Sequence, residues 1–246
     1  MILCASQPCY LAWMPLLDRI AQADVFVVMD AVQFEKGSYV NRNKIPLNGK
    51  DHWLTVPVLT KDHLESTIAE TKIDWSKPWL RKHLKSVEYA HGKQFSEKFE
   101  KWKTHLESLS RITCVGVLAL MDLEFWLAQY QIKTPVKLMP LKKRRPGGNE
   151  LILDLMADFK ADTFLAGPLF KNYVNEELWR SSPYKWEEYK PRIPQTFTPY
   201  PVLHSWLTTD ENPFLSSLLT PTMRQSDAEE PSSVPSHRDF RSTSSL

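Results

Sequence analysis

Four polar side chains follow two short apolar runs near the start of the chain. The apolar runs are residues 2–5 and 25–29, and the polar side chains are Gln7, Tyr10, Asp30 and Gln33. Because the carboxyl ends of parallel strands meet at one edge of a sheet, we expect these side chains to share a rim. Burial would raise the pKa of Asp30 and suit it to take a proton from an attacking amine or hydroxyl. The alternative is that Asp30 forms an Asx turn or caps a helix.

A second polar cluster precedes a predicted hairpin. Asn41, Arg42 and Asn43 set a planar fork of donors between two amides, and Lys36 lies shortly upstream. A guanidinium binds carboxylates and phosphates through paired hydrogen bonds. We therefore predict that these four residues bind the anionic part of a substrate. In the alternative, Arg42 braces the hairpin by donating to backbone carbonyls.

Histidine and cysteine offer two further candidates. His83 lies beside Lys82 on a predicted helix, where it would protonate a leaving group or bind a phosphate, or else pack half-buried. Cys9 is placed as a nucleophile in the first loop, but no histidine is near it in sequence, which favours a packing role. The seven histidines lack HxH or HExxH spacing, and Cys4 with Cys9 lacks a third ligand, so no metal site is predicted.

The sharpest charge run is Lys-Lys-Arg-Arg at residues 142–145, followed by Pro-Gly-Gly. It is suited to clamp the diphosphate of a nucleotide-sugar, although such a run is also typical of a solvated loop. No aromatic residue beside it offers a stacking platform, so we expect no specific nucleic-acid partner. Residues 138–140 are interpreted as the entry to this loop.

The elements that must position these residues indicate an α/β protein. A strand, a helix and a second strand open the chain as a βαβ unit, and the lack of glycine after the first strand excludes a dinucleotide fingerprint or a P-loop. Asn48-Gly49 predicts an edge hairpin. Residues 79–130 have helical spacing, and Asn149 is placed to cap a later helix before a strand that ends at Gly167. We predict a Rossmann-like parallel sheet with an edge hairpin and a helical middle section.

Composition sets the domain and compartment expectations. A formal net charge of +2 gives no global field that would attract nucleic acid or an anionic membrane. Three cysteines suggest free thiols in a reducing compartment, here the cytoplasm. The longest apolar stretch, residues 112–121, is too short to span a bilayer. We expect one domain over residues 1–220 and a disordered, Ser/Pro-rich tail over 221–246.

Several blocks of the chain together resemble the WbqC-like protein family. The blocks are QPCYLAW from Gln7, ADVFVVMD from Ala23, VQF from Val32, NRNKI from Asn41 and WLTVPV from Trp53. Weaker blocks occur near residues 82–89, 167–173 and 189–195, so the resemblance spans most of residues 1–200. Ala12 stands where the family usually has proline.

The resemblance implies a transferase of O-antigen, lipopolysaccharide or other glycan biosynthesis. Such an enzyme would move a glycyl or similar acyl group onto an amino sugar. Its partners would be a sugar or nucleotide-sugar substrate and an activated acyl donor, with no cofactor. The resemblance leaves the oligomeric state open.

Two other functions fit the sequence. One is a non-catalytic glycan-binding or assembly protein that stacks sugars on its aromatic residues. The other is a nucleotidyltransferase-like enzyme of the HUP class, although the His-x-Gly-His of that class is absent. Convergence of Gln7, Asp30 and Arg42 on one pocket would favour the transferase. Exposed rings would favour the binding protein, and the rings in question are Trp13, Trp53, Trp75 and Trp79.

Overall fold

A computed structural model describes the chain over residues 1–59, 66–91, 96–142, 147–194 and 200–214. The strands are β1 (Ile2–Ser6), β2 (Val25–Val28), β3 (Arg42–Leu47), β4 (Lys50–Thr55), β5 (Val136–Leu138), β6 (Thr163–Ala166) and β7 (Lys185–Glu188). The helices are α1 (Met14–Ala21), α2 (Trp79–His91), α3 (Ser96–Ser108), α4 (Val115–Gln129), α5 (Gly148–Phe159), α6 (Glu176–Ser181) and α7 (Val202–Thr208). Short 3-10 turns cover Leu109–Arg111 and Phe170–Asn172.

The central sheet has five strands in the order β5-β2-β1-β6-β7, and every neighbouring pair is parallel. The chain first runs outward from β1 through β2 to β5, and then crosses back to β6 on the other side of β1. The strand order therefore reverses between β1 and β6. This is a Rossmann-like topology with its switch point beside the first strand, and it confirms the predicted fold class.

Helices cover both faces of this sheet. Leu17 of α1 packs with Phe26 on one face. Leu155 and Met156 of α5 pack with Val27 on the other face. All four residues of β2 are buried, as expected for a strand between two helical layers. The continuous apolar run at residues 25–29 is thus the pattern expected of a strand that is buried on both faces.

The hairpin β3–β4 forms a separate two-stranded sheet that packs against α2. Its turn residues Asn48 and Gly49 both have positive φ, at 51° and 72°, which confirms the predicted turn chemistry. Pro46 has no N–H to donate to a further strand, which helps to keep the hairpin apart from the parallel sheet. The hairpin and α2 to α4 are inserted between β2 and β5.

Two local predictions were wrong. Residues 136–138 form β5 and pair with β2, whereas a loop entry was expected from residue 138 onward. A strand of three residues is too short to show periodicity. Asn149 does not cap α5, because that helix begins at Gly148. Its side-chain oxygen instead accepts hydrogen bonds from the backbone of Asn175 and the indole of Trp179, and so ties α5 to α6.

The loop between β1 and α1 is held by buried hydrogen bonds. Leu11 has a φ of 52°, in the left-handed region, which costs a residue with a Cβ about 1 kcal/mol. Its N–H donates to Asp122 Oδ2 at 2.8 Å, and its carbonyl accepts from Asn43 Nδ2 at 2.7 Å. The neighbouring Tyr10 hydroxyl lies 3.0 Å from His83 Nδ1. Side chains from β3, α2 and α4 therefore fix this loop.

Two of the predicted segments lie partly or wholly outside the residues that the structure describes. The predicted tail at residues 221–246 and residues 143–146 of the basic loop lie outside the described residues. The single domain over residues 1–220 stays a prediction. Within the described ranges, every helix is too short or too polar to cross a membrane.

The buried carboxylate of Asp122 provides a test of the loop. We expect Asp122→Ala to lower the free energy of unfolding by about 3 kcal/mol, because it removes the acceptor of two buried donors, Leu11 N–H and Trp126 Nε1–H. Urea unfolding would measure the loss. Glu124→Ala, an exposed carboxylate on the same helix, should change stability by at most about 0.5 kcal/mol. Equal losses in the two variants would contradict the role of Asp122.

Candidate functional site

A crevice of about 600 Å³ opens at the carboxyl ends of β1 and β6. In open α/β sheets, ligands bind at the point where the strand order reverses, and this crevice lies there. Its volume falls within the usual range for small-molecule sites. It is lined from the β1 side by Ser6, Gln7, Pro8 and Cys9, from α1 by Leu16 and Arg19, and from the β6 side by Gly167, Pro168 and Phe170.

Arg19 is the charged residue of this crevice. It is half-buried on α1, and its Nη2 donates to the carbonyl of Ala5 at 3.4 Å. No carboxylate lines the crevice, and within the described ranges Arg19 forms no ion pair. A cation in an apolar crevice without a compensating acid favours an anionic ligand.

Gly167 makes room for this cation. A Cβ built on Gly167 would lie 2.6 Å from Nη1 of Arg19, closer than real Cβ contacts allow. Glycine is therefore the residue that permits the guanidinium to lie against the end of β6. The Gly-Pro step after β6 and the helix α1 together place the charge at the switch point.

Aromatic rings form much of the remaining wall. Trp13 and Tyr39 meet edge to face with ring centroids 5.1 Å apart, and both line the crevice. Tyr173 on the opposite side is 59% exposed. The Tyr189 hydroxyl is occupied, because it donates to Asp18 Oδ2 at 2.6 Å. Exposed rings of this kind stack on the faces of sugars and bases.

Of the nine site residues predicted from sequence, Gln7 alone lines the crevice. Its amide has no hydrogen-bond partner in the described part of the chain, so it is free to bind a ligand hydroxyl or phosphate. Asp30 follows Met29, which does line the crevice, and the carboxyl itself is half-buried. Burial raises the pKa of Asp30, while N–H groups of Asp30 and Ala31 oppose that rise. Its role as a base stays a prediction.

Gln33 and Lys36 are exposed and lie outside the crevice. Gln33 pairs with Thr67 through an isolated β-bridge. Two other predicted ligands are buried: Asn43 bonds to Leu11, and Asn41 Nδ2 donates to the carbonyl of Val56 at 2.8 Å. Substrate binding by these residues stays a prediction.

Arg42 also lies away from the crevice. Its Nη2 donates to the carbonyl of Gly37, and its guanidinium carbon sits 4.4 Å from the centroid of the Trp53 ring. The contact with a backbone carbonyl is what the bracing alternative predicts. Gln7, Asp30 and Arg42 therefore do not line a common pocket.

His83 is enclosed between two partners. Its Nε2 lies 3.1 Å from the carbonyl of Thr55, which fixes the proton on that nitrogen and leaves Nδ1 to accept from the Tyr10 hydroxyl. Burial lowers the pKa of His83 to about 3, so the ring is neutral near pH 7. The neutral His83 ring, with both nitrogens hydrogen-bonded, therefore helps to hold Tyr10 and the loop between β1 and α1 in place. Catalysis by His83 stays a prediction.

The cysteines divide by environment. Cys9 lines the crevice, but burial raises the pKa of its thiol to about 12, which favours packing over nucleophilic attack. Cys114 is partly exposed, and the amine of Lys72 lies 3.2 Å from its sulfur. Among the described residues, no three side chains of His, Cys, Asp or Glu cluster closely enough to hold a metal ion.

Sequence reasoning missed Arg19, Gly167, Tyr39 and Tyr173. The sequence did offer a signal for Arg19, a cation on the helix after β1, and for Gly167, which begins a Gly-Pro step after the late strand. Placing the two residues in one site required the strand order, which sets β6 directly beside β1. The aromatic residues gave no signal of their own, because rings are common in cores as well as in sites.

The strand order and the crevice define an α/β protein of Rossmann-like topology with a candidate small-molecule site at its switch point. The sequence profile of the WbqC-like protein family matches residues 7–206, and the chain belongs to that family. It is similar to the uncharacterized protein Rv1507c of Mycobacterium tuberculosis, with 26% identity over 183 residues, which are 69% of this chain and 74% of the relative. No solved structure matches the chain.

Thiol reactivity tests the crevice wall. Burial raises the pKa of Cys4 to about 11 and that of Cys9 to about 12, so both stay protonated and shielded at about pH 8. We expect one fast-reacting thiol per native chain with a disulfide reagent, all three after denaturation, and none fast in Cys114→Ser. A second fast thiol in the native protein would show that the loop around Cys9 opens.

One buried and one half-buried histidine, His83 and His204, predict acid sensitivity. Burial lowers the pKa of His83 to about 3 and that of His204 to about 4, whereas an unfolded histidine titrates near about 6.5. The unfolded chain thus binds more protons as the pH falls below about 6.5, so stability should decline from there toward pH 3. His83→Gln should flatten this decline, as measured by urea unfolding at a series of pH values. An unchanged slope would contradict the neutral, enclosed ring.

Proposed function

We propose that this WbqC-like protein is a transferase of surface-glycan biosynthesis that binds a nucleotide-sugar in the crevice between β1 and β6. The observation that carries the proposal is Arg19, a cation with no acidic partner among the described residues, in an aromatic-lined crevice at the switch point. A nucleotide-sugar offers phosphates for the guanidinium and rings for the aromatic wall.

We assign a part of this substrate to each group of the crevice. The guanidinium of Arg19 takes the phosphate, since its forked donors match phosphate oxygens. The rings of Trp13 and Tyr39 stack on the sugar or the base, and the free amide of Gln7 bonds to a hydroxyl. Tyr173 covers the outer side of the ligand.

The proposed chemistry is acyl transfer to an amino sugar. The amine nitrogen attacks the carbonyl carbon of an activated acyl group, so a C–N bond forms and the bond from that carbon to its carrier breaks. The carrier leaves with the electron pair, and the amine proton passes to a base and then to the carrier. Asp30 is assigned as that base, because it follows a crevice residue and burial raises its pKa.

A non-catalytic glycan-binding protein is the second candidate. The observation in its favour is the exposure of two rings outside the core, with Tyr39 and Trp53 each 42% exposed. Trp79 is only 3% exposed, and Trp13 and Trp75 are half-buried, so the rings do not form one continuous exposed surface. Gln7, Asp30 and Arg42 do not share a pocket, so the preference for the transferase rests instead on Arg19, which has no acidic partner among the described residues.

Affinity for a nucleotide-sugar tests the crevice. We expect Arg19→Gln to weaken binding of a nucleotide amino sugar by about tenfold to a hundredfold, because it removes a charge-assisted contact to phosphate. Gly167→Ala should weaken binding too, because the new Cβ displaces the guanidinium. Isothermal titration calorimetry would measure both. Arg180→Gln is the matched control, since Arg180 is exposed on α6 and away from the crevice.

Turnover separates the two candidates. The protein would be incubated with nucleotide amino sugars and activated acyl donors, and the product masses read. A new amide product that Asp30→Asn fails to form, while still binding the sugar, supports the transferase and its base. Binding without product for any donor favours the glycan-binding protein. Unchanged sugar affinity in Arg19→Gln would remove the crevice as the site.

A further inference from the structure

A second cavity lies between the hairpin and α2. It has a volume of about 560 Å³ and is separate from the crevice at the switch point. The hairpin contributes His52 and Trp53, and the other wall carries three lysines, Lys77, Lys82 and Lys85. We call this cavity the lysine groove.

The lysine groove carries charge of one sign. Its three lysines are exposed, and among the described residues no acidic side chain lines the groove and none forms an ion pair with these lysines. Asp74 lies three residues before Lys77; its carboxylate accepts hydrogen bonds from the backbone and hydroxyl of Ser76, and its charge also interacts with Lys77. The excess of positive charge in the groove therefore rests mainly on Lys82 and Lys85. Lysine ammonium groups beside one cavity favour a ligand that carries several negative charges, such as a phosphate or diphosphate.

Besides its lysines, the groove has aromatic and hydrogen-bonding side chains, which can contact a ligand that carries both phosphates and rings. Trp53 borders the groove along strand β4. Its side chain is 42% exposed and lies on the hairpin face that carries Arg42, whose guanidinium contacts the ring, opposite the face that His52 presents to α2. His52 Nε2 lies 3.1 Å from the Ser86 hydroxyl. Trp79 also lines the groove, and its buried indole N–H has no acceptor in the part of the chain that the structure describes.

An aromatic track joins the groove to the crevice. Trp53 of the groove lies 5.9 Å from Tyr39, measured between ring centroids, and Tyr39 lies 5.1 Å from Trp13. Tyr39 and Trp13 line the crevice. A flexible arm attached to a ligand in the groove would therefore follow this track toward a substrate in the crevice.

We infer that the lysine groove binds the nucleoside-phosphate carrier of the activated acyl donor. The phosphates lie on the lysines, the base reaches across the edge of β4 to the Trp53 ring, and the acyl arm follows the track to the amine in the crevice. This role as donor site rests on the proposed transferase, while the binding of a nucleoside phosphate does not depend on it. The crevice and the groove then hold the two anionic substrates of one reaction.

The inference is tested by calorimetric titration with adenosine diphosphate, with adenosine as its neutral match. The diphosphate should bind and adenosine should bind far more weakly. The double variant K82Q/K85Q should lose about tenfold or more in affinity for the diphosphate, because two charge-assisted contacts are removed. The control K101Q/K133Q removes two exposed lysines outside the groove and should bind like the wild type. Circular dichroism would check that each variant is folded.

Other outcomes separate this inference from the proposed function. Wild-type affinity in K82Q/K85Q would overturn the groove as a nucleoside-phosphate site. Loss of diphosphate binding in Arg19→Gln, with K82Q/K85Q unaffected, would place the ligand in the crevice, which overturns the inference and leaves the proposed function standing. A single-stranded oligoribonucleotide that binds far more tightly than the diphosphate, and loses affinity in K82Q/K85Q, would make RNA the occupant and overturn the small carrier.

Discussion

The hydrogen bond from the Leu11 N–H to the buried carboxylate of Asp122 is the contact on which the site depends. It holds a left-handed residue in the loop between β1 and α1, and Asn43 and His83 secure the same loop from other elements. This loop sets where α1 begins, and α1 carries Arg19 to the end of β6. A loop that moved would displace both the rim and the charge of the crevice.

The polar residues at and around this loop therefore divide into two groups. Tyr10, Asn43 and His83 bond to the protein itself and fix the loop. Gln7 and Arg19 face the crevice, and each has bonding capacity left for a ligand. Tyr10, a positioning residue, lies between Gln7 and Arg19 in sequence, although of these three only Gln7 and Arg19 line the cavity.

The sequence predicts the sheet and the hairpin well because both follow from local patterns. The apolar run at residues 25–29 and the Asn48-Gly49 turn each determine their own structure. Strands β5 and β7 could not be predicted, since three or four residues carry too little periodicity. The sequence predicted a rim at the carboxyl ends of β1 and β2, whereas the crevice lies at the carboxyl ends of β1 and β6. The sequence did not indicate that β6 pairs with β1, because this pairing joins strands distant in sequence.

Amide hydrogen exchange at Leu11 tests the central claim most directly. If buried side chains hold the loop, the Leu11 amide should exchange as slowly as the strand amides of β1 and β2, through global unfolding. Its exchange would then report the free energy of unfolding of the whole fold. Exchange at the rate of an exposed loop would contradict this account, because the loop would then open without unfolding and could not fix the crevice.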